Sequence, residues 1–198
     1  MNSVPTPEAL SCALFLTVAF IVAGLAHSAW LRTPASRRLL LPIDGGARFR
    51  GKRVFGDNKT VRGFVVMVPA AAASFALFHV SVSRVAPSVA ADLWRLDTVG
   101  YAALGAWAGL GFMLGELPNS FVKRQFDVAP GMAPPTRTGT AVVFVVDRVD
   151  SILGMLVAIS LVVPTPWMTW AYVLLIGPGI HLAFSALLYR IGVKARPA

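Results

Sequence analysis

Three charged side chains interrupt an otherwise apolar stretch in the C-terminal part of the chain. Asp147, Arg148 and Asp150 form the motif DRVDS (147–151), with AVVFVV before it and ILGMLVAISLVV after it. Placing a charge within a bilayer costs about 3 kcal/mol on insertion scales, so such residues face a protein interior or an aqueous cavity and are functional candidates. One helical turn separates the two aspartates, so both carboxylates lie on nearly the same face of a helix.

The acidic residues allow two interpretations. In the first, Arg148 forms an internal ion pair with Glu116, and the two aspartates form a hydrated pair at the membrane edge. In the second, Glu116, Asp147 and Asp150 are the oxygen ligands of a divalent cation. Hard oxygen ligands suit Mg²⁺, which also binds the phosphates of substrates. We favour the second interpretation, because the chain also contains basic loops that such a site would need.

One of these loops is the segment GKRVFGDNKTVRG (51–63), which contains two lysines, two arginines and three glycines. A flexible cationic segment of this kind can neutralise a polyphosphate. Attraction to anionic lipid headgroups is the alternative. The glycines and the interspersed polar residues favour a shaped loop that binds a ligand. Its candidate binding residues are Lys52, Asp57, Asn58, Lys59, Thr60 and Arg62.

Five windows are long and apolar enough to cross a bilayer, which takes about 20 residues. They cover residues 10–31, 64–83, 99–117, 141–163 and 167–189. The chain of 198 residues is 56% hydrophobic and only 14% charged, which is typical of a polytopic membrane protein. We therefore predict an all-α integral membrane protein with about five transmembrane helices. A single membrane-embedded domain covers residues 1–198, with cytoplasmic loops over 32–63 and 118–140.

The basic residues are distributed unevenly between the two predicted sides. Only Arg84 and Arg95 lie on one side, and Arg148 lies within the fourth window. The positive-inside rule places the N-terminus outside and the C-terminus in the cytoplasm, for a multi-pass protein of the inner membrane. This asymmetry accounts for the net charge of +9, so no nucleic-acid partner is predicted. The other 15 basic residues are Arg32, Arg37, Arg38, Arg48, Arg50, Lys52, Arg53, Lys59, Arg62, Lys123, Arg124, Arg137, Arg190, Lys194 and Arg196.

The remaining residue types that could do chemistry favour structural roles. The single cysteine, Cys12, excludes an internal disulfide and a thiolate metal cluster. His27, His79 and His181 lie in different predicted helices, and we interpret them as packing or hydrogen-bonding residues. The small-residue run over 105–111 permits close helix contacts, including those of a homodimer.

Three ordered motifs resemble those of the CDP-diacylglycerol synthases. SFVKRQFDVAPG (120–131) and DRVDS (147–151) are similar to the C-terminal signature of these membrane enzymes. GKRVFGDNKTVRG (51–63) looks like a block of the CDP-archaeol synthase branch, which is also short and has five predicted helices. Two positions depart from the family pattern: Asn58 replaces a glycine, and Glu116 replaces an aspartate with a longer carboxylate.

The resemblance implies a CTP:lipid-phosphate cytidylyltransferase of phospholipid biosynthesis, with its active site facing the cytoplasm. Such an enzyme converts CTP and a lipid phosphate into a CDP-lipid and pyrophosphate. The implied cofactor is Mg²⁺ or Mn²⁺, and CTP is the co-substrate. The lipid partner is phosphatidate or an ether-linked isoprenoid glycerol phosphate, which share one headgroup.

The resemblance also implies roles for individual residues. Glu116, Asp147 and Asp150 are the implied metal ligands, and the two aspartates act in catalysis together with Lys123 and Arg124, which hold phosphate. Lys59 and Arg62 close over the nucleotide. The remaining polar candidates, for orienting phosphate or base, are Asn119, Ser120 and Arg148.

Two other functions are weighed against this one. DGGAR (44–48) is one residue short of the pattern that begins the CDP-alcohol phosphotransferase motif, and the downstream aspartates of that motif are missing. A small membrane transporter or scaffold, whose carboxylates relay protons, is the non-enzyme alternative. It needs neither a glycine-punctuated basic loop nor a Lys-Arg pair beside the acids. Mg²⁺-dependent binding of CTP in detergent would separate it from a cytidylyltransferase.

Overall fold

A computed structural model of the protein describes residues 6–190, and most of them are helical. Between the long helices lie a short 3₁₀-helix (Pro34–Leu39), a two-stranded antiparallel hairpin and one single-turn helix. The fold is therefore mostly α-helical, as predicted. In chain order the elements are α1 (Ala9–Leu31), β1 (Arg48–Phe49), β2 (Lys52–Arg53), α2 (Val61–Val85), α3 (Pro87–Ala91), α4 (Thr98–Gln125), α5 (Arg137–Ser160) and α6 (Trp167–Arg190).

Each predicted window lies on one of the long helices, but the ends differ. α4 continues to Gln125 and α5 begins at Arg137, so residues 118–125 and 137–140, predicted as loop, are helical. A helix satisfies its own backbone hydrogen bonds and can continue with polar side chains after its apolar run has ended. At its other end α5 stops at Ser160, and residues 161–163 form a turn.

Within residues 6–190, four helices are long and apolar enough to cross a membrane, namely α1, α2, α4 and α6. The fifth long helix, α5, has 24 residues. Its middle carries the three charged residues Asp147, Arg148 and Asp150, which sets it apart from the other four long helices. The fourth predicted window therefore corresponds to a helix of the bundle that has charged residues in its middle.

The connections gather at two ends of the bundle. We call the end that holds the α1–α2 and α4–α5 connections the basic end. There, Lys52 Nζ donates to the carbonyl oxygen of Gln125 at 2.7 Å and pairs with Asp127 at 2.6 Å. These contacts join the two connections. At the opposite end, Trp94 Nε1 donates to the carbonyl oxygen of Pro164 at 2.8 Å. The two basic connections therefore share one end. Lys194, Arg196 and the first five residues lie outside the described residues, as does the side chain of His181.

An aromatic core fills the half of the bundle near the opposite end. The ring of Phe15 packs edge-on against Phe75, with centroids 5.2 Å apart, and tilts against Tyr101 at 5.3 Å. The Tyr101 hydroxyl is buried and donates to the carbonyl oxygen of Trp94 at 2.8 Å. Aromatic side chains contribute much of the packing energy of a core, and a buried tyrosine needs such a partner. This half is closely packed, whereas the polar side chains described below gather at the basic end.

Glycines bring α4 against both of its neighbours. A Cβ atom added at Gly105 would lie 2.5 Å from the carbonyl oxygen of Ala71 in α2. On another face, Gly111 and Gly115 contact Gly154 of α5, where a Cβ atom at Gly115 would lie 2.9 Å from the Gly154 Cα. The small-residue run thus packs helices within this chain. It also brings together α4 and α5, the two helices that carry the acidic residues.

Candidate active site

A cavity of about 1000 Å³ opens at the basic end of the bundle. All five long helices contribute to its walls, together with the loop before α2 and the segment 130–134. Part of the lining is apolar and continues the core, and the rest is unusually rich in charge for the interior of a membrane protein. The predicted site residues that line it are Asn58, Lys59, Thr60, Arg62, Glu116, Asn119, Ser120, Lys123, Arg124, Asp147, Arg148 and Asp150.

Two neutral side chains link the three carboxylates of the cavity. Asn119 donates its Nδ2 amide to Asp147 and, at 2.8 Å, to Asp150 Oδ2. The Ser151 hydroxyl donates to Glu116 Oε1 at 3.0 Å and lies 3.2 Å from Asp150 Oδ1. The aspartates of α5 therefore point to the same place, as their spacing predicted, and Glu116 reaches them from α4.

Two lysines each neutralise one carboxylate. Lys123 Nζ lies 2.6 Å from Asp147 Oδ1, and Lys59 pairs with Glu116. The four side chains are between 17% and 38% exposed, so water and salt screen their attraction less than on an open surface. The partner of Glu116 is thus a lysine from the basic loop, and not Arg148 as the ion-pair interpretation required.

Two buried arginines line the same cavity, and within residues 6–190 neither is in an ion pair with a carboxylate. Arg124 and Arg148 are each 7% exposed. Arg124 Nε and Nη1 find no hydrogen-bond partner in the described part of the chain. The guanidinium of Arg148 lies over the Phe144 ring, 3.2 Å from its centroid, and donates to the Phe144 carbonyl oxygen. A guanidinium with unused donors suits phosphate, whose oxygens can accept from both arms of the fork.

The basic loop is fixed by Asp44. Its carboxylate accepts hydrogen bonds from Arg53 Nη2 at 2.6 Å and from the backbone N–H groups of Phe55 and Gly56 at 2.9 and 3.1 Å. Burial alone would raise the pKa of this carboxyl, which is 1% exposed, but these hydrogen bonds hold its pKa well below the usual range. The hydrogen bond to Asp44 also raises the pKa of Arg53. Asp44 is therefore ionised at neutral pH and holds the turn that leads to Lys59.

Gly56 lets this loop pass close to the second connection. Its φ is +92°, in the left-handed region that favours glycine. A Cβ atom there would lie 3.1 Å from Pro130 Cγ and 3.5 Å from Arg124 Cδ. The glycine thus allows the basic loop to lie against Arg124 and helps to close the cavity.

The comparisons with known proteins show which family the chain belongs to. The sequence model of a family described as CarS-like, CDP-archaeol synthase, matches residues 40–197. The chain belongs to this family. The resemblance of the three motifs is thereby confirmed, and so is the prediction of a CTP-dependent cytidylyltransferase. A transporter or scaffold without nucleotide chemistry is not favoured.

Individual relatives cover most of the chain. A CDP-archaeol synthase of Halobacterium salinarum is 34% identical over 164 residues, which are 79% of this chain and 82% of that one. Another from Halorubrum lacusprofundi is 30% identical over 164 residues, 79% of this chain and 83% of the relative. A solved structure, described as an intramembrane enzyme for archaeal membrane lipid biosynthesis, superposes with a TM-score of 0.57. It is 24% identical and covers 86% of this chain and 90% of its own, which shows a shared fold.

Lys52 and Asp57 are the predicted site residues that do not line the cavity. Lys52 pairs with Asp127 between the two connections. Asp57 is 75% exposed and pairs with Arg53 at 2.7 Å. Both residues help to hold the basic loop in place in this structure. The two departures from the family pattern, Asn58 and Glu116, both line the cavity.

Four residues of the site were missed by the sequence analysis. Asp44 was considered only as part of a rival motif, although an aspartate beside two glycines can signal a loop anchor. Ser151 belongs to DRVDS but was given no role. Phe144 precedes Arg148 by one helical turn, a spacing that brings side chains together and could have been used. His27, interpreted as a packing residue, lines the cavity from α1.

The donor set of the site fits a divalent cation by its chemistry. Carboxylate, amide carbonyl and hydroxyl oxygens are the ligands that Mg²⁺ prefers. In the described part of the chain, however, no group of three or more acidic, histidine or cysteine side chains is spaced as a metal centre. Asn119 and Ser151 stand between the three carboxylates. The residues that would hold a cation are Glu116, Asp147 and Asp150.

Proposed function

We propose that this protein transfers the cytidylyl group of CTP to a lipid phosphate, giving a CDP-activated glycerolipid and pyrophosphate in phospholipid biosynthesis. The observation that carries this proposal is one cavity, at the basic end of a bundle of apolar helices, that contains three carboxylates, two lysines and two buried arginines. Membership of the CDP-archaeol synthase family supports the same reaction.

In the proposed reaction, an oxygen of the lipid phosphate attacks the α-phosphorus of CTP. A new P–O bond forms, the anhydride bond between the α- and β-phosphates breaks, and pyrophosphate leaves with the electron pair. No covalent intermediate on the protein is needed, so positioning and charge neutralisation account for the catalysis.

The residues of the cavity divide this work. Arg124, Arg148 and Lys123 bind phosphate oxygens and neutralise charge that develops on the leaving pyrophosphate. Lys59 and Arg62 hold the nucleotide from the loop side. When bound, Mg²⁺ or Mn²⁺ would add further positive charge at the triphosphate, held by Glu116, Asp147 and Asp150.

The proposed orientation follows from the charges of the two connections. Both basic connections lie at the end where the cavity opens. With 15 basic residues on this predicted side and two on the other, the positive-inside rule places it in the cytoplasm, where CTP is found. We propose five crossings of the inner membrane, with α5 as the crossing whose charges face the cavity, the N-terminus outside and the C-terminus in the cytoplasm.

Incubating the purified protein with labelled CTP, Mg²⁺ and a panel of lipid phosphates tests the function. The panel should contain phosphatidate and an ether-linked isoprenoid glycerol phosphate, because the headgroup contacts do not distinguish them. We expect a labelled CDP-lipid and one pyrophosphate for each CTP consumed, with no product when EDTA removes the divalent cation. A protein that binds no CTP and forms no CDP-lipid from any member of the panel would contradict the proposal.

A further inference from the structure

Phe144 contacts Arg148 from the preceding turn of α5. The two residues are four positions apart, a spacing that brings side chains together on one face of a helix. The guanidinium carbon of Arg148 lies 3.2 Å from the centroid of the Phe144 ring, and Arg148 Nη1 donates to the Phe144 carbonyl oxygen. The same residue therefore contacts the arginine twice, through its ring and through its backbone.

This pairing leaves the charge of Arg148 without a counterion. Both residues line the active-site cavity, where Arg148 is 7% exposed and Phe144 is 42% exposed. Among residues 6–190 the guanidinium is in no ion pair with a carboxylate, since the neighbouring Asp147 pairs with Lys123. An aromatic face attracts a cation without neutralising it, and the attraction is stronger where water is excluded. The positive charge therefore stays available to an anion in the cavity.

The ring also limits how the guanidinium can turn. Arg148 Nε is buried and has no hydrogen-bond partner in the part of the chain that the structure describes, while Nη1 donates to the Phe144 carbonyl oxygen. Binding of phosphate through two parallel N–H groups requires that the plane of the guanidinium is aligned with the phosphate oxygens. The other buried arginine of the cavity, Arg124, is stacked on no aromatic ring of the described residues. The orientation of Arg148 is thus set by one neighbouring side chain.

We propose that Phe144 is a positioning residue, whose ring holds the Arg148 guanidinium in the orientation that binds a phosphate oxygen of a substrate. The inference rests on the proposed function, because both substrates of that reaction, CTP and the lipid phosphate, carry phosphate. Phe144 acts through Arg148 and does not itself contact the phosphate. A phosphate that enters the cavity would meet a cation that is already withdrawn from water and fixed in place, so less ordering is needed on binding.

The test removes the ring and keeps the backbone carbonyl. Phe144→Leu removes the aromatic face, whereas Phe144→Tyr keeps it. Phe49→Leu is the matched control, because the Arg50 guanidinium lies 5.5 Å from the centroid of the Phe49 ring in the hairpin, outside the cavity. Equilibrium binding in detergent measures the affinity of each protein for CTP and, separately, for phosphatidate and an ether-linked isoprenoid glycerol phosphate. The Tm of each protein is measured on the same samples.

For Phe144→Leu we expect the affinity for at least one of these phosphate ligands to fall by about tenfold. A fall for CTP assigns Arg148 to the triphosphate, and a fall for the lipid phosphates assigns it to the headgroup. The affinities of Phe144→Tyr and Phe49→Leu should stay within about twofold of the unchanged protein. A Phe144→Tyr protein as impaired as Phe144→Leu, or a Phe144→Leu protein with all affinities unchanged, would overturn the inference.

A double-mutant cycle separates positioning from packing. In an Arg148→Met protein the ring has no guanidinium to hold, so adding Phe144→Leu should change each affinity by less than about twofold. A further tenfold loss in this background, together with a lower Tm, would show that the ring acts through packing alone and would overturn the inference. A protein that binds the phosphate ligands but forms no CDP-lipid would contradict the proposed function, while the same comparison of affinities would still decide the role of Phe144.

Discussion

Lys123 Nζ and Asp147 Oδ1 lie 2.6 Å apart across the interface between α4 and α5. The contact of Gly115 with Gly154 sets the distance between the two helices, and the ion pair spans them about two helical turns from that contact. A phosphate that binds Lys123 would leave Asp147 available to a cation. Binding of the anionic substrate and binding of a divalent cation are therefore expected to support each other at this position.

The first prediction distinguishes the roles of Lys59 and Lys52, the two lysines of the basic loop, in the binding of CTP. Lys59→Ala should raise the KM for CTP by about tenfold with a smaller change in kcat, because its contact exists in the ground state as well as in the transition state. Lys52→Ala is the matched control, since Lys52 pairs with Asp127 and does not line the cavity. Steady-state kinetics with CTP varied at saturating lipid measure both. If Lys59→Ala binds CTP normally and raises the KM for the lipid instead, the loop belongs to the lipid headgroup.

The second prediction concerns Asp44 as the anchor of the basic loop. Asp44→Asn removes the charge that accepts hydrogen bonds from Arg53 and two backbone N–H groups, which should cost about 2 kcal/mol of loop stability at pH 7. Asp57→Asn, which changes an exposed partner of the same arginine, should cost much less. Limited proteolysis within residues 40–60 compares the two variants. Equal protection of Asp44→Asn and the unchanged protein would show that the loop does not depend on this carboxylate.

The pH dependence of the same loop follows from the sign of the pKa shift. The pKa of Asp44 is lower in the folded protein than the value of about 3.9 expected in an unfolded chain. Asp44 therefore stabilises the loop fully above that value, and this stabilisation is lost as the pH falls below it towards the folded pKa. The unchanged protein should become progressively more sensitive to proteolysis of the loop as the pH falls below about 4. The proteolysis of Asp44→Asn should not show this rise at low pH. Identical pH profiles of the two proteins would contradict the prediction that Asp44 causes it.

Local sequence patterns were sufficient to locate the long helices and to predict that several side chains of the candidate site lie together. Apolar windows located the five long helices, and the one-turn spacing of Asp147 and Asp150 placed both carboxylates toward Asn119. The ends of α4 and α5 were less accurate, because hydropathy reports where a chain leaves the membrane and not where its backbone hydrogen bonds stop. The helical residues 118–125 carry Asn119 and Lys123, so this error concerned the site directly.

Contacts between distant segments could not be read from local patterns. The pairing of Glu116 with Lys59 joins residues far apart in the chain, and nothing in either motif selects this partner over Arg148. The role of Asp44 likewise depends on a hairpin that turns through Arg50 and Gly51, both at positive φ, and brings Arg53 back toward it. Lys52 and Asp57 belong to the same motif as Lys59, but the fold of the loop turns them away from the cavity.

The third prediction tests the proposed orientation by labelling single cysteines in intact cells. Arg50→Cys lies in the exposed hairpin at the basic end, and Arg95→Cys is exposed at the opposite end. The native Cys12 is buried, so it should contribute little background. A membrane-impermeant thiol reagent should label Arg95→Cys before lysis and Arg50→Cys only after it. The reverse order would place the basic end outside and contradict both the orientation and access of the cavity to CTP.

The last prediction concerns the role of the Asp147 carboxylate in α5. Asp147→Asn preserves the shape of the side chain but removes the charge that would hold a divalent cation, so kcat should fall by about 10²-fold or more while the protein still folds. If Asp147 serves only as the ion-pair partner of Lys123, the same change leaves a half-buried lysine without its counterion and should mainly lower the Tm. Asp127→Asn is the matched control, because Asp127 pairs with Lys52 on the surface. Tm and Mg²⁺-dependent synthesis of CDP-lipid are measured on the same samples. An Asp147→Asn protein with a lowered Tm but full activity per folded molecule would remove the support for a metal site on α5.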